Sequence, residues 1–105
     1  MTLHQLEHPE AAAEFDAAVH WYEEQSPGAG HTLIDHAVEA RARIAEWPES
    51  GVPVMTVDDG TAFRMRSVRD FPLRIVYVVD PTVIHILAYA HERREPGYWL
   101  TRLSS

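Results

Sequence analysis

Two repeats divide this chain, and the switch between them constrains the fold more than any single residue. Up to Trp47 the apolar residues return every third or fourth position; from Phe63 onward they return every second. The first spacing lines one side of a helix and the second lines one face of a strand. Ala12, Phe15, Val19 and Tyr22 predict a helix from Pro9 to about Glu24, because proline suits a first helical turn and Glu10 and Glu14 complement its positive end. Ser26-Pro27-Gly28-Ala29-Gly30 breaks it. Leu33, Ala37, Ala40, Ile44 and Trp47 predict a second helix from about residue 29, which Pro48 stops, so the two form an antiparallel hairpin.

The strands follow a Pro-, Gly- and Asp-rich stretch over 48–60 that reads as a loop. Phe63 and Met65 alternate with Arg64 and Arg66. Leu73, Ile75, Tyr77 and Val79 alternate with Arg74, Val76 and Val78, and Asp80-Pro81-Thr82 turns the chain. Beyond the turn, Ile84, Ile86, Ala88 and Ala90 oppose His85, Leu87, Tyr89 and His91. Leu3 and Leu6 flank a short N-terminal strand. The reading is therefore α+β over one domain, residues 1–105: an N-terminal strand, then a helical hairpin packed on a small antiparallel sheet. Trp21 and Trp47 are expected in the core.

Composition excludes several classes. With 46% hydrophobic and 24% charged residues the chain reads as an ordinary globular domain. No apolar run approaches the roughly 18 residues of a membrane span, and MTLHQLEHPE has neither a basic nor an apolar leader region, so no membrane role or secretion is expected. The absence of cysteine removes disulfide and thiolate chemistry and fits a cytoplasmic location. His4 and His8 share helical spacing, but Pro9 starts the helix after them, so no metal site is expected.

The net charge of −7 is unevenly spread. Residues 1–60 carry 12 acids against Arg41 and Arg43, whereas residues 61–105 carry seven arginines against Asp70, Asp80, Glu92 and Glu95. Every cation is arginine, whose planar fork pairs with carboxylates or phosphates and stacks on aromatics. His91, Arg93, Arg94, Tyr98, Trp99 and Arg102 crowd the end of the last strand.

That ending, with the segments before it, resembles the RelE/ParE superfamily of type II toxin–antitoxin toxins, and more closely its ParE-like members. The matching features are Phe71-Pro72, Val76-Tyr77, the apolar run Ile84 to Ala90, His91, Arg93-Arg94, Pro96, Tyr98-Trp99 and Arg102, with Trp21-Tyr22-Glu23 in the first helix. The resemblance implies the fold deduced above, a toxin without cofactor, and a hetero-oligomer with a cognate antitoxin. It implies two alternative targets. A RelE-like member cleaves mRNA on the ribosome, and here His91 would transfer a proton, Arg64 and Arg74 (with Arg66) would neutralise the phosphate, and Tyr98 or Trp99 would stack a base. A ParE-like member inhibits DNA gyrase by binding and needs only a recognition surface. An inert family member is the third reading. Arg64, Arg66, Arg93, Arg94, Tyr98 and Trp99 are the expected contacts to antitoxin or target. The acidic balance and the lack of lysine favour the binding mode, because phosphate recognition is driven by cations.

Overall fold

The computed structural model describes residues 3–104. Its order is β1 (His4–Glu7), α1 (Pro9–Gln25), α2 (Ala29–Glu46), a 3-10 turn (Pro48–Ser50), β2 (Val52–Thr56), β3 (Ala62–Ser67), β4 (Leu73–Val79), β5 (Val83–His91) and a final 3-10 turn (Leu100–Ser104). The five strands form one sheet ordered β1-β5-β4-β3-β2.

The helical hairpin forms as expected, and its turn is fixed by a carboxylate. Glu23 accepts hydrogen bonds from the backbone N–H groups of Gly28 and Gly30 at 3.0–3.1 Å, filling the open amides at the start of α2. Gly28 sits at φ 92°, a conformation that favours glycine. At Gly30 a Cβ would come within 2.7 Å of the Val19 carbonyl, so glycine lets the two helices close.

Three expectations about the sheet need correction. First, it is mixed, since β1 runs parallel to β5 while the other pairs are antiparallel. The long connection that a parallel partner requires is made by α1, α2 and then β2 to β4. Second, the stretch read as a loop over 48–60 contains β2. Proline is tolerated there because β2 lies at the sheet edge, and a bulge between Pro53 and Met55 disrupts the ladder.

Third, the alternation of β5 reverses halfway. Val76 pairs with Ala88 but Tyr77 pairs with Ile86, so Leu87 is an extra residue, a bulge. Ile84, Ile86 and Tyr89 face the helices in a core with Leu33, Ala37, Ile44, Ile75 and Tyr77. Leu87, Ala88 and Ala90 face the other side. That second face has its own core of Phe63, Val76 and Val78, covered by Trp99 and flanked by Leu100 and Leu103 of the C-terminal segment. The chain is thus three layers: helices, sheet and a short strap. Trp21 and Trp47, expected in the core, are instead exposed at 56% and 65%.

Candidate functional site

The arginines and aromatics of the C-terminal half separate into three places. Cross-strand pairing sets Arg64 opposite Tyr77 and Arg66 opposite Ile75, so both arginines lie on the helix side of the sheet. There they bind the turn after α2. Arg64 Nη1 donates to the Glu49 and Gly51 carbonyls at 2.9 and 3.0 Å, and Arg66 Nη2 donates to Ser50 Oγ at 2.6 Å. Tyr77 completes this clamp: its hydroxyl donates to the Pro48 carbonyl at 2.7 Å and accepts from Gly51 N at 2.9 Å. Burial raises the Tyr77 pKa against the opposing effects of Gly51, Arg64 and Arg66.

The second place is the seam between α1 and the strap. Arg102 is 9% exposed and forks onto Glu14 at 2.9 and 3.1 Å, with a third bond of 3.0 Å to the Leu87 carbonyl. Glu14 also accepts from Tyr89 N at 3.1 Å. The two side chains therefore substitute for a neighbouring strand where β1 has already ended and the bulge displaces β5. Burial alone would lower the Arg102 pKa, but the bonded Glu14 charge outweighs it and the net shift is upward. Glu14 was not foreseen as a partner. The signal was present: it falls on the apolar side of α1, three residues after Ala11 and four before Ala18. An acid in such a stripe demands a cation.

Trp99 belongs to this seam as a core residue. It is fully buried, its ring 5.1 Å from that of Phe63, and its indole nitrogen makes no hydrogen bond among the described residues. It has no surface to offer a base or a partner, which corrects its expected role in contact. Tyr98 is half-buried, with the Arg94 guanidinium 3.6 Å above its ring. Burial and then the neighbouring Glu14 carboxylate push the Tyr98 pKa up to about 12.

The third place is a corner where β4 begins and β5 ends, lined by Arg74, His91 and Arg94. Arg74 pairs across the sheet with Ala90, and with Ser67 it lies on the face opposite Arg64. His91 pairs with Leu73, and its Nδ1 accepts the Arg93 amide at 3.1 Å, closing the turn that follows. Arg94 reaches Glu14 at 3.5 Å. Among the described residues, the side chains of Arg74 and Arg93 make no hydrogen bond or ion pair, although Glu92 and Glu95 lie on the same turn. The expected catalytic set His91, Arg64 and Arg74 is not gathered at one point, because the sheet separates Arg64 from Arg74.

Comparison with known proteins agrees with this architecture. Residues 7–96 match the family model of the ParE toxin of the type II toxin–antitoxin system parDE, and the chain belongs to that family. A solved structure described as the chromosomal ParDE TA system from P. aeruginosa superposes with a TM-score of 0.70 at 18% identity. The match covers 86% of this chain and 96% of that one, and shows the shared fold. No curated protein matches the sequence. No helix among the described residues is long and apolar enough to cross a membrane.

Proposed function

We propose that this ParE-family toxin is held inactive by a cognate antitoxin and acts, when released, by binding DNA gyrase rather than by cutting RNA. The observation that carries this reading is the separation of the candidate catalytic side chains. Phosphodiester cleavage needs a proton-transfer group and cations converging on one phosphate. Arg64 and Arg66 are committed to the turn over 48–51, on the opposite side of the sheet from Arg74. Of the three expected catalytic residues only His91 and Arg74 share a corner, beside an Arg94 that stacks on Tyr98 and reaches Glu14, and Trp99 cannot stack a base from the core. The net charge of −7 adds long-range repulsion of RNA. A binding toxin needs none of that machinery, only exposed anchors. Trp21, Trp47 and Val52 are exposed apolar side chains of the kind that anchor protein interfaces.

Induced expression in a bacterial host tests it. Growth should arrest, DNA synthesis should fall before protein synthesis in pulse labelling, and the product of the adjacent reading frame should restore growth. Codon-positioned mRNA cuts in a ribosome-containing extract would establish the nuclease mode instead, and harmless accumulation of folded protein would leave an inert family member.

A further inference from the structure

The strap covers only part of the sheet face on which it lies. Trp99 closes over Phe63, Val76, Val78 and the β5 residues Leu87, Ala88 and Ala90. The same face continues uncovered toward the β2 edge, because Val52 pairs with Met65, Met65 with Val76, and Ser67 with Arg74. There Val52, Val54, Met65, Ser67 and Arg74 line a depression of about 260 Å³. Val52 and Val54 are both exposed, and Val54 is the extra residue of the β2 bulge. Among the described residues no acid lines this depression, in a chain of 16 acids and nine arginines. Arg74 is exposed at its margin and makes no hydrogen bond or ion pair through its side chain among the described residues.

We propose that this open face is the surface that docks on gyrase, and that it fits a folded, acidic patch of that partner presenting one apolar side chain. The apolar side chain enters between Val52, Val54 and Met65, and a carboxylate beside it meets Arg74. The inference rests on the gyrase-binding reading above and names the surface that reading needs. Charge selects the partner's chemistry. The fold neutralises Arg41, Arg43, Arg69 and Arg102 with its own acids but not Arg74, so an acidic patch supplies what this face lacks. The same patch is repelled by the Glu- and Asp-rich helices on the other side of the sheet, which orients the encounter. Backbone chemistry selects a folded surface over an extended segment. β2 is an outer strand, but Pro53 has no N–H and the bulge breaks its repeat, so its free side is a poor template for an added strand. The partner therefore meets side chains rather than backbone. A second copy of this chain fits badly, because a twofold contact through the patch would set one Arg74 near the other with no acid in the depression to separate them. Single-stranded RNA fits badly too, since no ring lines the depression on which a base could stack.

The probe is purified DNA gyrase, with the full chain assayed for binding and for inhibition of supercoiling. Joint Val52→Glu and Arg74→Glu substitution should weaken binding about tenfold or more, with a larger loss at low salt, and inhibition should fall in proportion. The melting temperature, and the affinity for the product of the adjacent reading frame, should match wild type, since both side chains are exposed. Should the double variant melt early, Arg74→Glu alone carries the test, with an expected loss of about threefold. Variants that inhibit gyrase as well as wild type overturn the inference and leave the gyrase reading standing. Variants that melt like wild type but lose the adjacent product as well as gyrase also overturn it, because the patch then belongs to the antitoxin. A wild-type chain that does not bind gyrase removes that reading and this inference together.

Discussion

Arg64 and Arg93 are both arginines of the C-terminal half, and a sequence motif treats them alike; the fold does not. Arg64 is tied by two carbonyls to the turn after α2, beside Tyr77 and Arg66. Arg93 stands on the turn after β5 with its guanidinium unpaired among the described residues. The first region spends its cations on holding backbone in place, the second leaves them available. Positive charge in a sequence is therefore a poor guide to a binding surface until the internal partners of each cation are known.

The sharpest way to break that contrast is to unpair a cation that the fold has neutralised. Arg102→Ala leaves the Glu14 carboxylate, 17% exposed, with Tyr89 N, the neighbouring Tyr98 and a long 3.5 Å contact to Arg94 among the described residues. Removing one partner of a buried ion pair costs about 3–5 kcal/mol, and chemical denaturation should show a loss of that size. Glu14→Gln with Arg102→Met, which removes both charges together, should recover much of it. A loss below about 1 kcal/mol for Arg102→Ala would mean that the seam is solvated and that this arginine resembles Arg93 after all.

The clamp should give an intermediate effect. Arg64→Ala removes two charge-assisted bonds to carbonyls and should cost about 1–3 kcal/mol. Gly51→Ala attacks the same turn from the other side, since its Cβ would collide with the Tyr77 hydroxyl. That collision makes the two positions interdependent. Tyr77→Phe alone loses its bonds to Pro48 and Gly51, but in the Gly51→Ala background it removes the clash as well. The double-mutant cycle should then show a coupling of about 1 kcal/mol or more, whereas independent sites add within about 0.5. Additivity would show that the turn relaxes freely and that no clamp exists.

How much of this was readable from the residues follows the range of the interactions. The helical stripes and the β4 alternation are local, and Leu33 to Ile44 and Leu73 to Val79 fall where their spacing puts them. Parallel pairing of β1 with β5 joins residues about 80 apart, and nothing in His4 to Glu7 announces its partner. The Leu87 bulge is silent for a related reason. An apolar residue on either face satisfies the pattern, so the sequence of β5 reads equally well with or without the flip. β2 was concealed by Pro53, which signals a turn everywhere except at an edge. At the site, the His91–Arg94 crowding was visible in the chain. Which of its members were exposed was not, because Trp99 and Arg102 are buried by a strap whose path depends on the whole sheet.

The smallest effect is expected at the corner, and it bears most directly on the contrast. Arg74 and Arg93 are exposed and make no hydrogen bond or ion pair through their side chains among the described residues, so Arg74→Ala and Arg93→Ala remove nothing that the folded chain uses. Each should change unfolding free energy by no more than about 0.5 kcal/mol, the range of surface positions without special features. Arg93→Ala keeps the backbone N–H that bonds His91 Nδ1, so the turn after β5 should also survive. Arg94→Ala is the internal control. It loses stacking on Tyr98 and a 3.5 Å contact to Glu14, and should cost somewhat more, about 0.5–1 kcal/mol. Thermal melts of the three variants side by side should therefore place Arg94 below Arg74 and Arg93. If Arg93→Ala proved as costly as Arg64→Ala, the corner would be another structural seam, and the distinction between arginines that hold the fold and arginines held in reserve for a partner would collapse.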